Sequence, residues 1–363
     1  MSLPTVPVFR PRLTGPPTEL LDTLQSSWWG TGPKVAAFEA TFAEHLGVAA
    51  GRCLMLNSCT AALHLAVKLF PGRRILMPAL TFISTALAAK YENKEIVFVD
   101  VGDDLCMDEA DALRKLRGES DIILSVHLAG QVAPLRRLRR LCHVIEDCAH
   151  ALGSYDEAGR HVGTQGIGCF SFQATKGLPI GDGGMLVLAE EGQRPQAEAW
   201  AWCGISQGTW ERAVSQYRWA YRIDGIGYKY RANDVMASLG LDQWPSLEAA
   251  VEERRAIAER YTLALADLPW LELPQPRKDT RPNWQEYMVR VPNRDGLTAH
   301  LAERGVATTV HYYPVHLYPW LAGRQSLPRT ERIWREILTI PCFAGMTEQE
   351  EERVIEGIRA FRP

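Results

Sequence analysis

Short apolar segments with strand character recur through the first half of the chain, and most are separated by segments that resemble helices or loops. Alternation of this kind is typical of crossover units and predicts a mainly parallel sheet that is buried on both faces. Such a sheet binds its ligand at the carboxyl ends of its strands. The predicted strands span residues 53–56, 75–77, 96–99, 122–126, 143–146, 169–172 and 185–188.

Helices are predicted between and around these strands. In the segment 34–46, Val35, Phe38, Phe42 and Leu46 recur every three or four residues and so share one helical face, with Thr31 or Gly32 as the N-cap. Further helical or loop segments cover residues 60–70, 84–91 and 110–116.

The pattern changes near Trp244, where long amphipathic helices begin. They are followed by predicted strands at about 287–291 and 308–311 and by a last helix over 347–361. We therefore expect a large domain over residues 1–244 and a smaller C-terminal α+β domain over 245–363.

The segment 193–227 connects the two patterns and is rich in large aromatics, which favours a subunit interface. Its tryptophans are Trp200, Trp202, Trp210 and Trp219.

Charge and composition restrict the function. The 40 basic and 43 acidic residues give a net charge of −3, so the chain offers polyanions no overall attraction, and nucleic acid is not expected as a partner. A basic cluster occurs at residues 136–140, but Leu135, Leu138 and Leu141 alternate with its arginines. That spacing predicts the solvated face of an amphipathic helix, and no known DNA-reading motif accompanies it.

No uncharged stretch reaches the roughly 20 apolar residues of a membrane-spanning helix. Residues 1–13 carry three prolines where a signal peptide would have its apolar core, so we expect a cytoplasmic protein that does not associate with membranes. The eight cysteines are scattered without any CxxC pair, which predicts reduced thiols that mostly pack in the core.

Two candidate ligand-binding features follow predicted strands. The segment 57–62 (Asn-Ser-Cys-Thr-Ala-Ala) opens a helix, and its small residues let an anion approach the backbone amides, although an ordinary helix cap explains it as well. Asp147 ends an apolar strand, with His150 three positions later. A buried carboxylate needs a cationic or protonated partner such as a pyridine nitrogen, and a cap for the next helix is the alternative.

The third feature is Lys176, which follows an apolar strand and precedes the glycine-rich turn 181–184. A lysine held at the functional edge of a sheet is partly desolvated, and its amine can then form a Schiff base with an aldehyde. The fourth feature, at residues 311–316 (His-Tyr-Tyr-Pro-Val-His), has no recognised metal geometry and favours a polar, aromatic substrate lip. No metal is expected. An anion-binding turn, an acid for a pyridine nitrogen, a serine at a strand end and a lysine are together the parts of a pyridoxal 5'-phosphate (PLP) site on an α/β sheet.

The sequence resembles the DegT/DnrJ/EryC1/StrS family of PLP-dependent sugar aminotransferases over about residues 30–361. The similar segments are 30–33, 38–39, 57–63, 78–82, 146–150, 171–172, 176, 181–184, 227–234 and 311–316. The resemblance implies the aspartate-aminotransferase type of fold, fold type I, with a large mainly parallel mixed sheet and a smaller C-terminal α+β domain. It also implies a homodimer with active sites at the interface.

The resemblance also implies residue roles. Lys176 corresponds to the lysine that forms the Schiff base and moves the proton, and Asp147 to the partner of the pyridine nitrogen. Phosphate ligands are implied at Thr60, Ala61 and Ser171, a ring stacked on the cofactor at Phe82, and phosphate contacts across the dimer at Arg231 or Asn233, with Lys229 as another candidate. Many relatives have a glutamine at the position of His150, and that glutamine forms a hydrogen bond with the phenolic oxygen of the cofactor. The imidazole of His150 would replace this hydrogen bond. His311, Tyr312 and Trp29, with Trp28 as an alternative, are implied around the substrate.

We therefore expect transfer of an amino group from L-glutamate to a keto sugar, most simply a nucleotide-linked 4-keto-6-deoxyhexose. One alternative is a ketocyclitol or an aminoshikimate-type ring as acceptor. Another is a sugar dehydratase, but those relatives have histidine in place of the lysine, and Lys176 argues against it. A regulator without turnover is the remaining alternative.

Overall fold

The computed structural model describes residues 5–205, 222–223, 225–321 and 325–363. Its main sheet has seven strands in the order β1-β7-β6-β5-β4-β2-β3. The strands β2 to β6 run parallel to their neighbours within that set, whereas β7 is antiparallel to both β1 and β6. All seven predicted strands are present. They are β1 (Cys53–Leu56), β2 (Arg74–Pro78), β3 (Glu95–Val99), β4 (Ile122–Val126), β5 (His143–Asp147), β6 (Ile167–Ser171) and β7 (Gly184–Val187).

Helices cover both faces of this sheet, as expected for nearly continuous apolar strands. One face packs against α3 and α4, and the other packs against α2 and α7. On the second face Phe38 and Phe42 of α2 make edge contacts with Phe172 and Phe170, at ring-centroid distances of 5.3 and 5.1 Å. The helices are α1 (Thr18–Gln25), α2 (Pro33–Leu46), α3 (Cys59–Lys68), α4 (Ile83–Tyr91), α5 (Glu109–Lys115), α6 (Arg194–Ala201) and α7 (Asp234–Gln243).

A second, two-stranded antiparallel sheet lies in the C-terminal part of the chain. Its core includes Val6 from the N-terminal segment, which pairs with Val306. A capping box of Thr347 and Glu350 begins the last helix. The elements are α8 (Leu247–Leu265), β8 (Tyr287–Arg290), α9 (Arg294–Glu303), α10 (Pro328–Glu336), β9 (Ile337–Ile340) and α11 (Glu348–Ala360).

The predicted strand at 308–311 is wrong. Only Thr309 forms a bridge, to Thr339, and the partner of β8 is β9, which the sequence pattern did not indicate. The segment turns away because Val315 N donates a 2.8 Å hydrogen bond to Ala79 O of the large sheet's edge. Residues 311–314 therefore cross from the small sheet to the large one.

The predicted amphipathic helix around the arginine cluster is also wrong. Only a three-residue 3-10 helix forms there, Leu138–Arg140. Arg139 is not on a solvated face, because its guanidinium lies 2.7 Å from the buried Glu146 carboxylate. The ion pair with Glu146 therefore holds Arg139 against the protein interior.

The cysteines behave as expected. All eight are unpaired, six of them are buried, and Cys203 is exposed. None of the helices in the part of the chain that the structure describes combines the length and apolar character needed to cross a membrane.

Candidate active site

The carboxyl ends of β5 and β6, the β6–β7 loop and the beginnings of α3 and α4 surround a cavity of about 420 Å³. This volume lies in the usual range for small-molecule sites. The cavity brings together most residues that the sequence analysis selected. Its lining consists of Ser58, Cys59, Thr60, Leu63, Phe82, Ser84, Asp147, Ala149, His150, Ser171, Gln173, Thr175, Lys176, Asp182 and Tyr312.

Asp147 lies at the last position of β5 and is 5% exposed. Its Oδ2 accepts a 2.8 Å hydrogen bond from Thr85 Oγ1, and its Oδ1 accepts a 3.1 Å bond from Ala149 N. Thr85 in turn lies 2.8 Å from the Thr81 hydroxyl. These bonds hold the carboxylate in one orientation at the cavity wall.

Alternation along β5 sends the neighbouring Glu146 to the opposite face of the sheet. Glu146 lies 3.0 Å from His127 Nε2 and 2.7 Å from Arg139, and accepts a 3.0 Å bond from Gly163 N. Burial raises the pKa of Glu146, but His127 and Arg139 outweigh it and bring the pKa to about 2. The sulfur of Cys148 and the side-chain ligand atoms of His127 and Glu146 all lie within 4.8 Å of one another. Because Arg139 already neutralises the carboxylate, the group serves the structure rather than a metal.

The N-terminus of α3 faces the cavity. Ser58 is the N-cap and its hydroxyl accepts a 3.1 Å bond from Ala61 N, so the cap interpretation of the sequence is confirmed. The cap leaves the first amides of the helix, including that of Thr60, without an intrahelical acceptor. The Thr60 hydroxyl lies 2.8 Å from the Ser84 hydroxyl.

Gly184 explains why the glycine-rich turn is needed. A Cβ at this position would lie 2.4 Å from the Ser58 carbonyl carbon and 2.5 Å from Cys59 N. The first residue of β7 therefore passes directly against the start of α3, which only glycine permits. Gly181 and Gly183 adopt positive φ values of 88° and 153°.

Lys176 lies in the loop between β6 and β7, and its partly accessible side chain lines the cavity. Burial lowers the pKa of the Lys176 ammonium, while Glu286, Cys59 and Asp147 act in the opposite direction. The loop is anchored from the C-terminal part of the chain, because Gln285 Nε2 donates a 2.8 Å bond to Thr175 O. A lowered pKa increases the fraction of free amine, the nucleophilic form.

His150 is enclosed by groups from several elements. Its Nδ1 accepts a 3.3 Å bond from Ala129 N, and its Nε2 lies 3.2 Å from the Tyr312 hydroxyl. Glu286 Oε2 lies 3.4 Å from Nδ1 and has no hydrogen-bond partner among the described residues. Glu286 Oε1 lies 3.5 Å from His311 Nδ1.

The charge on Glu286 is set by these neighbours. Burial raises the pKa of its carboxyl, but His150, His311 and Lys176 outweigh that effect and bring it to about 2. Burial also lowers the pKa of His311 and raises that of Tyr312 well above its usual value.

His311 lines a second cavity of about 200 Å³ on the side of Lys176 nearest the small sheet. Tyr312 and Lys176 line both cavities. The aromatic lip predicted at residues 311–316 therefore lies beside the predicted reactive lysine, although only its first two residues line either cavity.

Phe82 is 52% exposed and its ring lines the main cavity, 5.5 Å from the ring of Tyr312. This exposure excludes core packing as its role. Ala61, by contrast, is 2% exposed and does not line the cavity, and its backbone lies in the first turn of α3.

Five predicted residues, Ala61, His311, Arg231, Asn233 and Trp29, do not line this cavity, and neither does the alternative Lys229. Asn233 is the N-cap of α7, where its side chain accepts a 3.0 Å bond from Met236 N. Arg231 lies over the Trp202 ring at 5.6 Å, as does Lys229 at 4.2 Å. Trp29 is 56% exposed and donates to Leu24 O. Trp210 and Trp219 lie outside the described residues.

The sequence analysis missed several contributing residues. Thr85 lies within a helix and gave no signal that it would bind Asp147. Glu286 had a weak signal, since it is an acidic residue directly before the apolar strand β8. Its place beside Lys176 depends on how the two sheets pack.

A model of the DegT/DnrJ/EryC1/StrS aminotransferase family matches residues 17–359. The chain belongs to this family. It is 31% identical over 364 residues to the spore coat polysaccharide biosynthesis protein SpsC of Bacillus subtilis, covering 94% of this chain and 92% of SpsC.

Solved structures of family members agree with the fold described above. The aminotransferase TlmJ from Streptoalloteichus hindustanus is 32% identical, with a TM-score of 0.89 and 98% of each chain covered. The sugar aminotransferase CalS13 from Micromonospora echinospora is 27% identical, with a TM-score of 0.90 over 98% of this chain and 100% of the other. The predicted enzyme class, a PLP-dependent sugar aminotransferase, and the predicted fold type I are thus confirmed at the level of the family.

Proposed function

We propose that this protein transfers an amino group from L-glutamate to a keto sugar, with a nucleotide-linked 4-keto-6-deoxyhexose as the acceptor. The observation that carries the proposal is the position of Lys176, whose side chain shares one cavity with the oriented carboxylate of Asp147 and the N-terminus of α3. The similarity to CalS13, a sugar aminotransferase, supports a keto sugar as the acceptor.

The residues present fit PLP. The cavity offers a lysine amine with a lowered pKa, a buried carboxylate, a helix N-terminus and an exposed aromatic ring. When bound, the cofactor supplies a pyridine ring that takes up the negative charge left by a breaking C–H bond. Asp147 would hold its ring nitrogen protonated, Phe82 would stack on its face, and His150 would reach its phenolic oxygen.

The phosphate group would be held at the start of α3. The amides of Thr60 and Ala61 lie in the first turn, where the helix dipole favours an anion. Ser171 at the end of β6 lines the same cavity and would add its hydroxyl. Across a homodimer, Arg231 or Asn233 of the second copy would complete this group of donors.

Lys176 would both attach the cofactor and move the proton. A base that takes a proton from the donor's α-carbon must be neutral, and burial lowers the pKa of Lys176 in that direction. Lys176 Nζ would give up that proton within the same half-reaction, and in the second half-reaction it would move a proton in the reverse direction, to the acceptor carbon that receives the amine. His311, Tyr312 and, from the interface, Trp29 would contact the acceptor.

The remaining assignments are also proposals. We place the large domain at residues 1–244 and the small domain at 245–363, with the N-terminal strand segment at Val6 packed into the core of the latter. We propose a cytoplasmic homodimer in which the segment around Trp200 and Trp202 forms part of the interface.

Two experiments test the function. Borohydride reduction of the purified holoenzyme, followed by peptide mapping, is expected to place the cofactor on Lys176, and a label on another residue would overturn the mechanism. Incubation with L-glutamate and a panel of nucleotide-linked keto sugars and keto cyclitols identifies the acceptor by the mass of its aminated product. If only the keto cyclitols were aminated, the proposal of a keto sugar as the acceptor would be wrong.

A further inference from the structure

A small cavity of about 40 Å³ lies beside the Lys176 loop, apart from the cavity proposed for the cofactor. Its walls combine the loop at 176–179, helix α8, the N-terminal segment and residues 343–344. The lining residues are Phe9, Arg10, Arg12, Thr14, Lys176, Gly177, Leu178, Pro179, Gln243, Ser246, Ala250, Arg254, Phe343 and Ala344.

Arg254 is the buried member of this lining, at 4% exposure. Its Nε donates a 3.1 Å hydrogen bond to Asn283 O, but its buried Nη2 has no partner among the described residues. Burial lowers the pKa of the guanidinium to about 10, which leaves it charged at neutral pH. An uncompensated buried cation is costly, so a counter-ion is expected nearby.

The other charges around the cavity do not supply that counter-ion. Three lining residues are arginines, Arg10, Arg12 and Arg254, and none of the lining residues is acidic. Lys176 also lines the cavity, but its amine is proposed above to be neutral or joined to the cofactor. Glu350 is paired with Arg10 at 2.5 Å. Glu253 lies 3.6 Å from Arg12 and accepts a 2.7 Å bond from Gly345 N. Among the described residues, Arg254 is therefore the arginine of this lining that has no acidic partner.

We propose that this cavity binds one small monovalent anion, a halide or a carboxylate group, with Arg254 Nη2 as its principal ligand. The volume of about 40 Å³ accommodates an ion of about the size of one water molecule and excludes a phosphorylated substrate. Arg10 and Arg12 line the outer side of the cavity, where their side chains are 43% and 49% exposed and are paired with Glu350 and Glu253.

The site is coupled to the reactive lysine through Gly177. A Cβ at this position would lie 2.9 Å from Arg254 Nη2, so the guanidinium packs directly against the loop backbone one residue after Lys176. An anion that fixes the guanidinium therefore also fixes the loop. Anion binding is expected to stabilise the folded protein without contacting the reaction centre.

Thermal unfolding of the holoenzyme tests the proposal. Sodium methanesulfonate is replaced stepwise by sodium chloride, and in a parallel series by sodium formate, at constant ionic strength, because methanesulfonate carries no carboxylate group and is larger than either anion. The unfolding midpoint is expected to rise by about 2 °C, and Arg254→Gln is expected to abolish the rise. Arg260→Gln, on the same helix but paired with Glu351, is expected to retain it. The absence of a chloride-dependent rise, together with the absence of a formate-dependent one, would overturn the proposal.

Formate separates the two sources of anion. Stabilisation by formate but not by chloride assigns the site to a carboxylate group, whereas stabilisation by chloride assigns it to a halide. If Arg254→Gln does not fold, crystals of the unaltered holoenzyme soaked in bromide provide the test. An anomalous peak within hydrogen-bond distance of Arg254 supports the site. Peaks confined to other positions, together with no formate-dependent rise in the unfolding midpoint of the unaltered holoenzyme, overturn it.

Discussion

Thr85 Oγ1 donates a 2.8 Å hydrogen bond to Asp147 Oδ2, which joins α4 to the end of β5 across the sheet. The two residues are 62 positions apart in the chain. A carboxylate that must keep a ring nitrogen protonated needs a fixed direction as well as a negative charge. Thr85 supplies that direction, so we regard it as a positioning residue.

Replacing Thr85 by valine tests this role. Thr85→Val removes the donor but keeps the branched shape, and we expect kcat/KM for glutamate to fall about tenfold, since a hydrogen bond to a charged group contributes on the order of 1.5 kcal/mol. The absorption spectrum of the bound cofactor should change as well. Thr85→Ser keeps the hydroxyl and should restore most of the activity. Full activity and an unchanged spectrum in Thr85→Val would show that the bond is dispensable.

The close approach of Gly184 to the start of α3 makes a second prediction. Gly184→Ala places a Cβ against the Ser58 backbone and forces the first turn of α3 to move, so PLP should bind more weakly, with Kd raised at least about tenfold. Gly192→Ala is the matched control, because nothing lies within 4 Å of a Cβ there. Equilibrium dialysis of PLP against the apoprotein measures both variants, and equal affinities would contradict the proposed phosphate site.

Glu286 allows a prediction about pH. Its negative charge raises the pKa of Lys176, against the lowering caused by burial. Glu286→Gln removes that charge, so the pKa of Lys176 should fall further. The ascending limb of the kcat profile, which reports the substrate complex in which the Lys176 amine is free, should then move to lower pH. Glu286→Asp keeps the charge and should move the limb less. An unshifted profile in Glu286→Gln would show that the charge of Glu286 does not influence the pKa of Lys176.

Glu146 makes a prediction about acid stability. Its pKa in the folded protein is about 2, below the usual 4.5, so the stabilisation is complete above about pH 4.5 and is lost as the pH falls towards 2. This shift means that the charged Glu146 contributes on the order of 3 kcal/mol to the free energy of unfolding. Glu146→Gln should therefore lower stability at pH 7 and differ little from the unaltered protein near pH 2. Urea unfolding at both pH values measures this.

An exposed ion pair provides the comparison for Glu146. Asp267 pairs with Arg359 at the surface, and Asp267→Asn should change stability little at any pH, because solvent screens such pairs. A loss at pH 7 no larger in Glu146→Gln than in Asp267→Asn would show that the buried pair is not stabilising.

The fold was largely predictable because its signals are local. The strands of the main sheet are apolar runs, and α2 has its apolar residues at helical spacing, so the order of elements follows from neighbouring residues alone. The predictions that went wrong depended on distant partners. Arg139 is drawn inward by Glu146, and residues 308–311 fail to form a strand because Val315 bonds to Ala79.

The site divides in the same way. Sequence pattern by itself determined that Lys176, Asp147 and the start of α3 lie at one edge of the sheet, because each follows or precedes a strand in a crossover unit whose connectivity is fixed by the chain. Tertiary structure alone decided that Thr85 orients Asp147 and that Glu286 lies beside Lys176. It also decided that Arg254 is buried with no acidic partner in the part of the chain that the structure describes. Those relationships depend on how helices and the second sheet pack in three dimensions, and no spacing along the chain encodes the distance between two side chains on separate elements.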